Sequence, residues 1–199
     1  MIMKTSLKKL FRTALILLAT GRLYAQHSYL ETEWVVQSPE ISNAIYHSSS
    51  IVDQGKLIVT GNYDDGGDVD VITVKYASNG DTLWVKTQSG SLSEGADYGV
   101  DVKVNSSGHV IVLAAVKNTS TLYDYAVYHY NGSTGALNWS YTWNGSGGLN
   151  DIPTTLQLDS YGNIYVTGGS ESSGGFSNFG TIKLSPSGSL QKNSYYDYA

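Results

Sequence analysis

Slid along itself, the 199-residue chain falls into register at intervals of 53 to 54 residues. An internal repeat of that size constrains the architecture before any single motif does. The segment GKLIVTGN (Gly55–Asn62) recurs as GHVIVLAA (Gly108–Ala115) and GNIYVTGG (Gly162–Gly169). A second block follows each: DVITVKY (Asp70–Tyr76), DYAVYHY (Asp124–Tyr130) and NFGTIKL (Asn178–Leu184). The third block reads GDTLW (Gly80–Trp84), GALNW (Gly135–Trp139) and GSLQK (Gly188–Lys192). Upstream strands precede the first block at YGVDVKV (Tyr98–Val104), at IPTTLQL (Ile152–Leu158) and, more weakly, at IYHSSSIV (Ile45–Val52).

Each unit therefore predicts four short strands. The first hairpin turns on Asn105-Ser106-Ser107-Gly108 or Asp159-Ser160-Tyr161-Gly162, where Gly and Asn or Asp supply turn geometry. Strand two is a continuous apolar run, as expected of a strand covered on both faces. Four strands per unit at about 40–55 residues predict β-propeller blades, because one blade cannot cover both of its faces and stacked neighbours can. The predicted fold class is all-β, with four-stranded antiparallel blades, about three of them consecutive in an incomplete propeller. The expected units are 43–95, 96–148 and 149–199, the last including the start of a further unit at Asp197-Tyr198-Ala199. Ahead of them, 26–42 holds an orphan strand at Leu30–Gln37 with Trp34.

These blocks resemble the SBBP-type β-propeller repeat of exported bacterial proteins. The resemblance rests on Asp159–Gly168 with Gly180–Lys183, on Thr73–Trp84, and on Asn105–Val112 with Asp124–Ala126. It covers most of residues 43 to 199. Quinoprotein-type repeats share an element like Thr134–Trp139, and NHL-type repeats share the turn-and-strand hairpin, but the third strand favours the SBBP pattern. The resemblance implies a fold and no particular reaction. Propellers close with four or more blades, so the expectation is a fragment of a larger protein, or closure by assembly with other copies. Open blade edges would then favour self-association.

The N-terminus reads as an export signal over residues 1–25. Lys4, Lys8, Lys9 and Arg12 precede the apolar run Thr13–Thr20, and Ala25 suits a cleavage site. The run is too short to span a membrane. The expected location is secreted or cell surface. Removal of the signal leaves seven basic against seventeen acidic residues, a formal charge of about −10. That balance disfavours nucleic acid, which needs clustered Lys and Arg. With no cysteine, the chain has no disulfide, thiolate metal site or cysteine nucleophile.

No nucleophile elbow, phosphate loop or dinucleotide fingerprint is present. The metal candidates are Asp64, Asp65 and Asp68 in the loop DDGGDVD, since calcium favours several carboxylates from one flexible loop. Asp70 aligns with Asp124 and Asn178 and reads as a strand-start residue. His129 shares its slot with Lys75 and Lys183 and reads as a solvated or channel-facing position. His109 reads as an exposed hairpin residue. Trp84 and Trp139 recur with the period, which marks blade packing, whereas Trp143 and Tyr141 are the better candidates for a sugar-stacking surface. The expected function is a non-enzymatic scaffold or binding module for a protein or glycan, without a cofactor unless calcium binds. The alternatives are part of a quinoprotein-like enzyme and a carbohydrate- or calcium-binding propeller.

Overall fold

A computed structural model describes residues 44–51, 55–64, 66–92, 95–118, 122–175 and 177–196. The predicted signal, the orphan strand at Leu30–Gln37, Asp65 and the segment Asp197–Ala199 lie outside the described residues. Among those described there are twelve strands and no α-helix.

Sheet I holds β1 (Ala44–Ile51), β2 (Leu57–Asp64), β3 (Val69–Tyr76) and β4 (Thr82–Gln88). Sheet II holds β5 (Tyr98–Val104), β6 (Val110–Lys117), β7 (Tyr123–Tyr130) and β8 (Leu137–Trp143). Sheet III holds β9 (Asp151–Leu158), β10 (Ile164–Glu171), β11 (Ser177–Leu184) and β12 (Leu190–Tyr196). Each sheet is an antiparallel meander in chain order, the strand arrangement of a blade. The β5–β6 and β9–β10 turns carry Gly108 and Gly162 at φ of 77° and 79°, a region that only glycine enters freely. Asn105 Oδ1 accepts from the Ser107 and His109 N–H groups, and Asp159 Oδ1 accepts likewise from Tyr161 and Asn163.

The period extends to irregularities. In the first strand of each sheet one residue is skipped by the pairing: His47, Val100 and Thr154. In the fourth strand the skipped residues are Leu83, Asn138 and Gln191. These are β-bulges, which bend a strand and re-aim its side chains.

Two cores lie on the two sides of sheet II. On one side, Val110, Val112 and Ala114 of β6 and Tyr128 of β7 pack with Ile58, Val71 and Trp84 of sheet I. On the other, Ile111, Leu113, Tyr125 and Val127 pack with Leu156, Ile164, Val166 and Ile182 of sheet III. β6 is accordingly buried along almost its whole length, as a continuous apolar run predicts. In β10 burial alternates instead: Ile164 and Val166 are buried against sheet II, while Tyr165 is 37% exposed on the other face. The expectation of a second strand covered on both faces is thus met in sheet II and corrected in sheet III, whose far face is open among the described residues. Each sheet meets the one before it along its first strand, β5 lying against β1, β2 and β3, and β9 against β5, β6 and β7.

Candidate functional site

Three aspartates that the sequence reading did not single out are engaged between sheets. Asp97 and Asp151 are fully buried and stand one period apart, just before and at the start of β5 and β9. The Asp97 carboxylate accepts from the Gly90 N–H in the loop leaving sheet I and from the Lys117 N–H at the end of β6, the latter at 2.6 Å. Asp151 accepts from the Gly145 N–H in the loop leaving sheet II at 2.5 Å. Each aspartate thus ties the exit loop of one sheet to the next. Desolvation by burial pushes both carboxyls above the usual aspartate value, against the pull of these N–H groups.

Asp101 on β5 makes a third joint. Its Oδ2 accepts from the Thr155 hydroxyl at 3.1 Å and the Leu156 N–H at 3.0 Å, both on β9. Its Oδ1 accepts from the Val102 N–H and the Lys103 ammonium. Burial opposes its ionisation, but these donors outweigh it and hold its pKa below the usual carboxylate value.

The fourth-strand tryptophans also join sheets. The Trp84 indole N–H donates to Gly132 O of sheet II, and Trp139 donates to Pro186 O of sheet III, each at 3.2 Å. Lys75 Nζ donates to the same Gly132 oxygen at 2.5 Å. The Tyr125 hydroxyl lies 3.2 Å from both Gly169 O and Gly180 O of sheet III. Trp143, expected at the surface, is 4% exposed. It packs against Tyr125 at 4.7 Å and Tyr195 at 5.8 Å, beneath Gly180, because the β8 bulge and pleat turn it towards sheet III. Tyr141 is half-buried beside the same core.

His129 is likewise corrected. It is buried, not solvated, and stacks on Trp139 at 5.0 Å, with His109 edge-on at 4.9 Å. Nδ1 of His129 lies 3.0 Å from the amide of Asn138, the bulged residue of β8. Burial first, and the neighbouring His109 second, hold its pKa below the ordinary value of 6.5. The two histidines are twenty residues apart in sequence; β6–β7 pairing brings them together, a proximity no linear spacing reveals.

A cleft of about 440 Å3 opens beside this cluster, where turns of sheets I and II meet. Lys56, Lys75, His109, Asn131 and Ser133 line it, and no carboxylate does among the described residues. Such a lining offers ammonium, imidazole, amide and hydroxyl groups to a polar ligand.

The acidic loop adopts its own local bonds. Asp64 Oδ1 accepts from the Gly66 N–H at 2.8 Å, and Asp68 Oδ1 accepts from the Val69 N–H at 2.9 Å. A second, shallower cleft of about 340 Å3 includes Asp64, Asp68 and Lys117. Among the described residues no group of three or more His, Asp or Glu side chains is placed to hold a metal ion. No helix among them is long and apolar enough to cross a membrane.

The fold and this geometry define a protein of stacked, blade-like four-stranded sheets. Comparison with known proteins finds no family model and no curated protein that matches the chain.

Proposed function

We propose that this chain is a run of blades from an exported β-propeller of the SBBP-repeat type, part of a larger protein, acting as a scaffold or binding module rather than as an enzyme. The observation that carries this reading is the engagement of its polar side chains: Asp97, Asp101, Asp151, Lys75, Trp84 and Trp139 all bridge one sheet to the next. Residues engaged as joints between sheets are held in place and serve rigidity. What faces solvent between sheets I and II is the cleft around Lys56 and His109, whose chemistry suits a polar or acidic ligand such as a glycan.

The test is an array of neutral and acidic oligosaccharides probed with the exported protein, with and without a chelator. Binding that the Lys56→Gln variant weakens supports the module reading and places the ligand in the cleft. Silence on the array removes the glycan version. A new absorbance band after addition of pyrroloquinoline quinone overturns the non-enzymatic reading. Loss of binding on chelation assigns the role to calcium and directs attention to Asp64, Asp65 and Asp68.

A further inference from the structure

Two lysines share the cleft between sheets I and II, and no carboxylate accompanies them among the described residues. Lys56 immediately precedes β2, and Lys75 lies near the end of the adjacent β3. After residue 25 the chain holds seven lysines and no arginine against seventeen acidic residues. Two of those seven nevertheless meet here, and among the described residues neither forms an ion pair. Lys75 is 8% exposed, and its ammonium donates to a neutral carbonyl, Gly132 O. Burial first, and the Lys56 charge second, hold its pKa below the ordinary value of 10.5. Like charges gathered in a concave site repel, and an anion seated between them relieves that repulsion.

The repeat does not require this pair. One period on, the slots of Lys56 and Lys75 hold His109 and His129, and the joint between sheets II and III is closed by the Trp139 indole donating to Pro186 O. In the first joint the Trp84 indole already donates to Gly132 O. The paired ammoniums are therefore an addition particular to one unit. The hydroxyls of Ser106, Ser107 and Ser133 and the imidazole of His109 border the same cleft from two turns of sheet II and add donors on its other side.

We infer that the cleft is an oxyanion site, which seats a sulfate or phosphate ester of the ligand between Lys56 and Lys75 and the donors of the sheet II turns. The inference rests on the binding-module reading above and narrows its ligand to compounds that carry such a group. A tetrahedral ester offers three terminal oxygens in different directions, which matches donors arriving from both sheets. A planar carboxylate is best gripped by the two-pronged guanidinium of arginine, which this cleft lacks.

The experiment titrates the isotope-labelled protein with sodium sulfate, phosphate or acetate, with chloride holding the ionic strength constant, and follows the backbone amides of residues 105–109 and 131–133 by NMR. Sulfate and phosphate should give saturable shifts confined to these turns, with acetate at least about tenfold weaker. Lys56→Gln should weaken sulfate binding about tenfold, the order of one charge-assisted hydrogen bond. Lys56→Arg should retain it, and Lys183→Gln, which removes the same charge from sheet III, should leave it unchanged. Glucose 6-sulfate and glucose 6-phosphate, compared with glucose, then show which ester the site prefers. Because Lys75→Gln could loosen the joint itself, the Lys56 variants decide, provided that their melting temperatures match the parent's. Shifts that do not saturate overturn the inference, as does an equal loss in Lys56→Gln and Lys183→Gln. Acetate binding as tightly as sulfate also overturns it, leaving a carboxylate site. Oligosaccharide binding that is indifferent to sulfate and to Lys56 removes the oxyanion site and keeps the module reading. Saturable sulfate binding with a silent oligosaccharide array keeps the site and removes the glycan.

Discussion

Asp101 shows how a buried carboxylate acts as a structural joint. A carboxylate whose native pKa is depressed contributes stability above its unfolded value, near 3.8, and loses that contribution as pH falls through the native value. The Asp101→Asn variant should therefore be less stable at pH 7, by about 1–3 kcal/mol, the range for losing charge-assisted hydrogen bonds. Its melting temperature should also decline less steeply than that of the parent below about pH 4. Parallel acid limbs in thermal denaturation would refute the assignment. Asp97 and Asp151 have the opposite sign: with native values raised, their contribution is largest at low pH and falls as pH rises through those values. His129, with a lowered pKa, stays neutral until pH drops below 6.5, and its protonation then opposes folding. Its imidazole should titrate below 6.5 by NMR, and a midpoint at or above that value would contradict its burial against Trp139. The periodic tryptophans were legible in the sequence as packing residues; the burial of His129 and Trp143 was not, because it depends on which neighbours pack against the face each strand presents.

At the level of elements, the strands and turns follow from the repeat, and their bulges do not. The skipped residues are His, Val and Thr in the first strands and Leu, Asn and Gln in the fourth, so no residue type marks the site. Yet the pleat decides which neighbours touch. Gly168 and Gly169 are adjacent in β10 and point to opposite faces. A methyl group on Gly168 would meet Pro153 Cα at 2.6 Å and the Tyr125 hydroxyl at 2.7 Å, whereas one on Gly169 meets nothing within 4 Å. Gly168→Ala should cost about 1–3 kcal/mol, as overpacking does. Gly169→Ala should change stability by no more than about 0.5 kcal/mol, as at an open surface. Denaturant unfolding of the pair checks both, and equal losses would mean that the sheet III faces are assigned wrongly.

Across the whole molecule, burial is unequal although the repeats are alike. Sheet II is covered on both faces, and sheet III on one. Native-state hydrogen exchange should therefore find the slowest amides in β6 and β7 and markedly faster exchange in β12, whose side chains are all exposed. Protection of β12 equal to that of β6 would show a cover on sheet III that these contacts do not include.

The sequence by itself determined the period, the four strands per unit, the turn glycines and the all-β class, because each follows from local alternation and turn chemistry read along the chain. Only the tertiary structure decided which of the equivalent residues are covered. Val71, Tyr125 and Phe179 occupy one slot in three units and look equally like core in the sequence, yet the first two are buried and the third is exposed. Burial belongs to the neighbour that packs against a face, and a repeat encodes the face without stating whether its neighbour is there. The same holds for the aspartates: their spacing is visible in the chain, but the bonds from Asp97, Asp101 and Asp151 to adjoining sheets exist only once the sheets stack.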